Sequence, residues 1–236
     1  MKEEILIRRE VQRVKAEYRR REFEVQSDLY APWQPAEILM TAERKRMAAT
    51  MLRAIDKFPV AGQRCLEIGY GKLGWLADLL SWGLRSSDLY GIELDEERAR
   101  PAREALPDAH LEMGDATRLP WADDQFHYVV ISTLFSSILN GTVRKAIAEE
   151  ISRVLRTGGV VILYDIAVDN PGNKGVRRVK RSEVRSMFAG FDCHLRSLTL
   201  APPIARMVAP RSWALANFLS GIPLLRTHLI GILVKR

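Results

Sequence analysis

Hydrophobic positions near the start of the chain recur at helical spacing. Residues 2–25 are predicted to form a charged helix, and a second helix is predicted from Pro35 to about Lys57, after the proline-containing segment YAPWQP. The first helix has a narrow apolar stripe that consists of Ile7, Val11, Val14, Tyr18 and Val25. We therefore predict an N-terminal helical extension over residues 1–58, which would act as a lid on the domain that follows.

The spacing changes after Arg64, where short apolar runs alternate with amphipathic segments. Strands are predicted at RCLEI, DLYGIEL, AHLEM, FHYVVIST and VVILYDI, and later at DCHLRSLTL and HLIGILVK. The segment TVRKAIAEEISRVLRTGG is predicted as a helix that stops at its glycine pair. Strand–helix alternation at this period predicts an α/β fold over residues 59–236: a Rossmann-like, doubly wound, mostly parallel sheet with helices on both faces.

The loop after the first of these strands has the G-x-G-x-x-G spacing of a nucleotide-binding turn. Gly69 and Gly71 permit tight turns on either side of Tyr70, and Gly74 lets the next helix approach the strand. Glu93 lies at the end of the second strand, where an acidic side chain binds ribose hydroxyls. These positions together predict a site for a ligand that contains a nucleoside.

Acidic residues at three strand ends indicate the charge of that ligand. Glu67 stands two residues before the first glycine, where a carboxylate would repel a pyrophosphate. S-adenosylmethionine reverses the sign, because it carries a sulfonium and an ammonium group and no phosphate. Glu93 and the adjacent Leu94 are then predicted to contact the ribose side, and Asp115 and Ala116, at the end of the third strand, the adenine.

The motifs LEIGYGKLG, LYGIEL, GDATRLPWADDQFHYVV and AEEISRVLRTGGVVIL resemble those of class I S-adenosylmethionine-dependent methyltransferases, in the small-molecule, type 11-like group. The resemblance covers roughly residues 60–166. It implies a seven-stranded sheet whose last strand is antiparallel, and it adds Ser132 to the cofactor-binding residues. His127 stands where the family has a structural aspartate, so no catalytic role is expected for it.

Outer segments such as STLFSSILN and LAPPIARMVAPRSW resemble methyltransferase-like proteins associated with bacterial polysaccharide or glycolipid gene clusters. This resemblance implies O-methylation of a sugar, glycolipid or other small acceptor. Transfer to a hydroxyl needs a nearby base, and the candidates are Asp165, at the end of the fifth strand, then Asp169 and His194. Asn170 and Asn173, in the loop after that strand, are predicted to contact the acceptor.

The charge of the chain is divided between two regions. The net formal charge is +7, yet residues 174–236 hold twelve Lys or Arg and two acidic residues, whereas the preceding residues hold 24 basic and 27 acidic ones. Arg177, Arg178 and Arg181 are therefore predicted to bind phosphate or carboxylate groups of the acceptor, which would be anionic or lipid-linked. The same region could instead contact an anionic membrane surface.

The sequence shows no export signal, no run long enough to span a bilayer and no metal-ligand spacing. We therefore expect a cytoplasmic protein, at most peripheral to the inner face of the membrane, with no metal and no nucleic-acid partner. The stripe of the first helix could also pack against a second copy in a homodimer. Two alternatives stay open: an NAD(P)-dependent Rossmann oxidoreductase, and a non-catalytic cofactor-binding partner in a biosynthetic complex.

Overall fold

A computed structural model describes residues 2–24, 28–170 and 172–236. The described helices are α1 (Lys2–Glu24), α2 (Pro35–Arg53), α3 (Leu76–Ser81), α4 (Glu96–Ala105), α5 (Leu134–Ser137), α6 (Gly141–Val154), α7 (Arg181–Met187), α8 (Pro202–Val208) and α9 (Trp213–Ser220). The described strands are β1 (Cys65–Ile68), β2 (Leu89–Glu93), β3 (His110–Met113), β4 (Phe126–Ser132), β5 (Leu155–Ile166), β6 (Phe191–Leu200) and β7 (Arg226–Lys235). None of the described helices combines the length and the apolar character that crossing a bilayer requires.

The strands form one seven-stranded sheet in the order β3-β2-β1-β4-β5-β7-β6. β1 to β5 are parallel, so their carboxyl ends lie along one edge. β7 runs antiparallel between β5 and β6, and its register places His228 opposite Ile166 at the end of β5. The predicted Rossmann-like α/β fold is confirmed, and the antiparallel strand brings its first residues to the edge where the parallel strands end.

Apolar side chains cover both faces of the sheet. In β4, Val129 and Ile131 pack in the layer that contains α6, whereas Tyr128 and Val130 pack in the layer that contains α3 and α4. A strand buried on both faces requires such an unbroken apolar run. The unbroken apolar run of β4 therefore agrees with its position in the centre of the sheet.

The N-terminal extension is present as two helices that lie on opposite faces of the sheet. α1 contributes Val14 to the layer that contains α6, and α2 contributes Ala48 and Leu52 to the other layer. The predicted stripe residue Val25 lies outside the described residues. The domain boundary at residue 59 stays a prediction, because both helices share their cores with the sheet.

Two predicted helix ends are wrong. α6 ends at Val154, and the following LRTGG segment belongs to β5, where Leu155 pairs with Phe126 of β4. Gly158 has a φ of +71°, and the register between the two strands shifts in this region. Strand pairing here overrides the helical pattern.

α2 ends at Arg53 rather than near Lys57, because Asp56 takes a left-handed conformation with a φ of +52°.

Candidate functional site

A small cavity lies at the carboxyl ends of β1, β2 and β3. Its volume is about 50 Å³, and its walls include five predicted cofactor residues: Gly69, Glu93, Leu94, Asp115 and Ala116. The structure therefore brings together residues from three strand ends, as the sequence predicts. Acidic side chains line the cavity, and the described lining includes no lysine or arginine. This lining favours a ligand that carries positive charge over a diphosphate.

The Glu93 carboxylate organises the glycine loop and the end of β2. Its oxygens accept hydrogen bonds from the N–H groups of Gly71 at 2.9 Å, Leu94 at 2.8 Å and Asp95 at 3.2 Å. Gly69 and Gly71 have φ values of +75° and +55°, in the left-handed region that favours glycine. The loop conformation thus depends both on its glycines and on the acidic residue of the neighbouring strand.

Glu67 does not line the cavity, which corrects the prediction that it faces the cofactor. Its buried carboxylate accepts hydrogen bonds from the N–H groups of Trp75, at 2.9 and 3.0 Å, and Leu76, at 3.0 Å. These amides belong to the start of α3, so the carboxylate caps that helix. Burial raises the pKa of Glu67 to about 8, although the same amides lower it. A Cβ on Gly74 would overlap Glu67 Oε1, so this glycine makes room for the carboxylate.

Three more predicted cofactor residues lie outside the cavity wall. Tyr70 is buried below the loop, with its ring against Gly91 of β2, where a Cβ would overlap the ring. Gly71 is linked to the cavity through its hydrogen bond to Glu93. Ser132 lines the neighbouring crevice instead.

α1 forms the outer wall of the cavity. Val14 and Tyr18 of the predicted stripe line it, together with Glu10. Glu10 accepts a hydrogen bond from the Leu139 N–H at 2.6 Å, and the Arg98 guanidinium lies 4.2 Å from the centroid of the Tyr18 ring. Ligand pockets usually measure about 300–1,000 Å³, so this cavity is too small for a nucleoside unless one of its walls, such as α1, moves outward.

A larger crevice of about 620 Å³ opens beside the cavity, at the ends of β4, β5 and β7. The predicted residues Asp169, Asn170 and Asn173 line this crevice, as does Ser132. α5 lies between the two spaces, and its last residue, Ser137, lines both. Two ligands bound in these two spaces would therefore meet beside α5.

Residues 66–163 match the family model described as Methyltransferase domain. Over this part of the chain, the sequence is similar to a methyltransferase domain. The match extends from β1 into β5 and so includes the strand ends that form the cavity.

Two curated relatives are methyltransferases. Methyltransferase GfsG of Streptomyces halstedii is 30% identical over 145 residues, which are 59% of this chain and 50% of that protein. The demethylmenaquinone methyltransferase of Staphylococcus saprophyticus subsp. saprophyticus is 27% identical over 108 residues, which are 44% of this chain and 45% of that protein. The chain thus spans about half the length of the curated relatives it matches.

A solved structure shows the same fold. The SAM-dependent methyltransferase from Thermotoga maritima has a TM-score of 0.59 and 18% sequence identity, and the likeness covers 88% of this chain and 95% of that chain. The methyltransferase fold therefore extends well beyond the matched region of the sequence.

Asp165, at the end of β5, is not exposed in the crevice, which corrects its prediction as the first candidate base. The side chain is 1% exposed and accepts hydrogen bonds from the N–H groups of Phe135 at 2.9 Å, Ser136 at 3.2 Å and Ile166 at 2.8 Å. Burial raises the pKa of Asp165 to about 6, against the lowering effect of these donors. The carboxylate thus positions α5 between the two spaces.

His228, and not His194, lines the crevice. His194 lies exposed in the amino-terminal half of β6, which corrects its prediction as a base. The His228 ring stacks on Tyr164 with centroids 4.9 Å apart, and its Nδ1 lies 3.0 Å from Thr227 Oγ1. Burial, followed by the charge of Arg44, lowers the pKa of His228 to about 4. The imidazole is therefore neutral at physiological pH and can accept a proton.

Arg177, Arg178 and Arg181 lie outside the crevice, and their role in binding the acceptor stays a prediction. Arg177 pairs with Glu183 at 2.8 Å, and Arg178 pairs with Asp169 at 3.1 Å. The Arg181 guanidinium donates to the backbone of β6. Through these contacts, the three arginine side chains connect α7 to the segments around it.

Arg44 and Arg206 supply the positive charge of the crevice instead. Arg206 lies 3.8 Å from Glu37, and Arg44 lies 3.8 Å from Asp78 and 5.5 Å from the centroid of the Tyr164 ring. The Nε atoms of both arginines are buried without a hydrogen-bond partner in the described part of the chain. Such donors suit an acceptor that presents oxygen atoms. No three His, Cys, Asp or Glu side chains of the described residues converge on a metal-binding position.

Proposed function

We propose that the protein transfers a methyl group from S-adenosylmethionine to an oxygen atom of a sugar, glycolipid or other small acceptor. One observation carries the proposal: the acid-lined cavity and the larger crevice adjoin at α5, where Ser137 lines both. The family match supplies the reaction type. The oxidoreductase alternative would need a site for a pyrophosphate, and the described lining of the cavity offers no side-chain cation for one.

The groups that line the cavity match the parts of the cofactor. The Glu93 carboxylate would bind the ribose hydroxyls, and Asp115 and the Ala116 amide would bind the adenine, with the apolar Leu94 beside it. The Gly69 backbone would adjoin the amino-acid tail. Bound in this way, the cofactor supplies an electrophilic methyl group.

The groups that line the crevice would hold the acceptor and remove its proton. Arg44 and Arg206 would orient polar or anionic groups of the acceptor through their unpaired N–H donors. The neutral His228 imidazole would accept the hydroxyl proton as the acceptor oxygen gains the methyl group. Asp169 also lines the crevice, but its carboxylate is already paired with Arg178 at 3.1 Å.

Calorimetry tests the cofactor half of the proposal. We expect the protein to bind S-adenosylmethionine and not NAD⁺, and we expect Asp115→Ala to weaken binding by about 1–3 kcal/mol, the cost of losing a buried polar partner. Glu112→Ala is the matched control, because Glu112 is an exposed carboxylate of the same strand that does not line the cavity. Equal affinity in the Asp115→Ala variant, or binding of NAD⁺ alone, would contradict the proposal.

A screen with methyl-labelled cofactor tests the acceptor half. The label should appear as an O-methyl group on a member of a panel of sugars and glycolipids. Cofactor binding without transfer to any member would favour the non-catalytic alternative, a cofactor-binding partner in a biosynthetic complex.

A further inference from the structure

The segment between β6 and β7 exposes large apolar side chains. It contains α8, α9 and a 3₁₀ turn at Pro223–Leu225, and Ser212–Leu225 is free of charged residues. Leu224 is 95% exposed and Phe218 is 69% exposed. We call the surface formed by these side chains the apolar shelf; its members are Met207, Trp213, Leu215, Phe218 and Leu224.

α9 turns its small residues inward and its large residues outward. Ala216 and Ser220 are buried, whereas Phe218 lies on the opposite side of the helix and is exposed. A helix that packs on a core in water normally has the reverse arrangement. The small buried cluster below α8 and α9 is closed by alanines such as Ala205 and Ala209, so the shelf is not needed to complete that core.

Positive charge accompanies the shelf. Residues 193–236 hold six lysines or arginines and no aspartate or glutamate. Arg211 lies exposed between α8 and α9, donates to the Met207 carbonyl, and pairs with no carboxylate in the part of the chain that the structure describes. Of the six cations, Arg206, Lys235 and Arg236 pair with carboxylates, which leaves Arg211, among the described residues, as the unpaired cation beside the shelf. Exposed Trp, Phe and Leu side chains next to an unpaired cation are typical of surfaces that rest on anionic lipid headgroups.

The shelf adjoins the mouth of the crevice. α8 begins with Pro202 and Pro203, which line the crevice, and continues to Met207 of the shelf. Arg206 lines the crevice as well, and its guanidinium lies 5.1 Å from the centroid of the exposed Tyr30 ring. A surface in contact with the shelf would therefore lie beside the entrance used by the acceptor.

We infer that the apolar shelf docks the protein onto an anionic phospholipid bilayer, so that a lipid-linked acceptor enters the crevice from the membrane surface. The docking stands independently of the chemistry, whereas the entry of the acceptor rests on the proposed function. A second copy of the chain fits the shelf less well. A two-fold interface brings a patch against its own copy, which would set Arg211 and its neighbouring cations against cations.

Vesicle flotation of the full chain tests the docking. We expect binding to vesicles of equimolar phosphatidylcholine and phosphatidylglycerol, little binding to phosphatidylcholine alone, and weakening by added salt. The double variant Phe218→Ser, Leu224→Ser should lose at least ten-fold in vesicle affinity. Arg211→Glu should weaken binding to the anionic vesicles.

Two matched controls lie at the opposite edge of the sheet. Val60→Ser removes an exposed apolar side chain before β1, and Arg156→Glu reverses an exposed cation near the start of β5. Both should bind vesicles as the unchanged chain does. All variants should keep the melting temperature and the affinity for S-adenosylmethionine, because their side chains lie away from the cavity.

Three outcomes would overturn the docking proposal. They are no binding to either vesicle type, equal losses in the shelf and control variants, or a dimer in light scattering that the shelf double variant dissociates without any vesicle binding. Vesicle binding by a chain that fails to bind S-adenosylmethionine would leave the docking intact and refute the proposed function. The two failures are thus distinguishable.

Discussion

Buried carboxylates at the strand ends hold backbone amides of neighbouring segments. Glu67 caps the start of α3, Asp165 holds α5, and Glu93 holds the glycine loop; each side chain is at most 2% exposed. The first N–H groups of a helix have no partner within that helix, so an acidic side chain from an adjacent strand can satisfy them. At the scale of single residues, an acid at a strand end can therefore shape this edge of the sheet without lining the cavity, as Glu67 and Asp165 do, whereas Glu93 does both.

The proposed base gives a prediction for catalysis. His228→Asn should lower kcat by about 10²-fold or more, the usual contribution of a general base, with the affinity for S-adenosylmethionine unchanged. His194→Asn should leave kcat unchanged, because His194 lies outside the crevice. Steady-state kinetics with the acceptor found in the labelling screen would measure both; a larger loss for His194→Asn would contradict the assignment.

The pH profile gives a second check on His228. Because burial lowers its pKa to about 4, the imidazole is in its proton-accepting form above that value and becomes protonated below it. The contribution of His228 to kcat should therefore stay constant from about pH 8 to pH 5 and fall only as the pH approaches 4. A fall centred on its ordinary pKa, near 6.5, would show that the residue is more solvated than the structure indicates.

At the scale of elements, α1 lines the cavity, and we propose that it acts as a lid on it. It is joined to the segment around α5 by Arg13, whose guanidinium donates to the Ser137 carbonyl and pairs with Glu10 at 2.8 Å. The closed cavity measures about 50 Å³, so the free energy that docks α1 opposes cofactor entry. Lid opening and cofactor binding are therefore coupled.

Weakening the lid should strengthen cofactor binding. Arg13→Ala removes docking contacts without changing the lining of the cavity, and loss of about 1 kcal/mol would raise the affinity for S-adenosylmethionine about five-fold. Arg20→Ala, which removes an exposed pair on the same helix, should have no effect. Calorimetry would measure the affinities, and hydrogen exchange should be faster in α1 of Arg13→Ala; an unchanged or lower affinity would refute a closed lid.

At the scale of the whole molecule, β7 joins the functional edge to the C-terminal region. It pairs with β5 on one side and β6 on the other, and the connection before it carries the apolar shelf. One strand thus sets the place of His228 in the crevice and of the shelf beside its mouth. The acid-lined cavity and the apolar shelf thus lie at different parts of the same sheet edge.

The packing of β7 predicts a global effect on stability. A Cβ at Gly231 would lie 2.6 Å from Leu195 Cδ2 and 2.9 Å from Leu233 Cδ1. Something must shift to admit the Cβ, but both neighbours are the ends of flexible side chains, so Gly231→Ala should lower the free energy of unfolding by about 1 kcal/mol, the low end of overpacking costs. Gly190→Ala, where a Cβ would meet nothing within 4 Å, should be neutral within about 0.5 kcal/mol. Urea denaturation would compare them, and equal effects would contradict tight packing of β7.

The sequence by itself determined the parallel sheet, the glycine loop and the strand ends that converge on the cavity. These features follow from local spacing, because period-two and helical patterns and glycine turns depend on residues close together in the chain. Glu93 and Asp115 were predictable for the same reason: Glu93 is the last residue of β2, and Asp115 lies two residues after the end of β3.

Only the tertiary structure decided which of these groups face a ligand. The orientation of Glu67 and Asp165 depends on amides contributed by other segments, and the position of His228 depends on the register of β7 against β5. α1 reaches the cavity although it precedes β1 by about forty residues. Such contacts join residues far apart in the chain, and their geometry is set by packing and strand register, which local patterns do not encode.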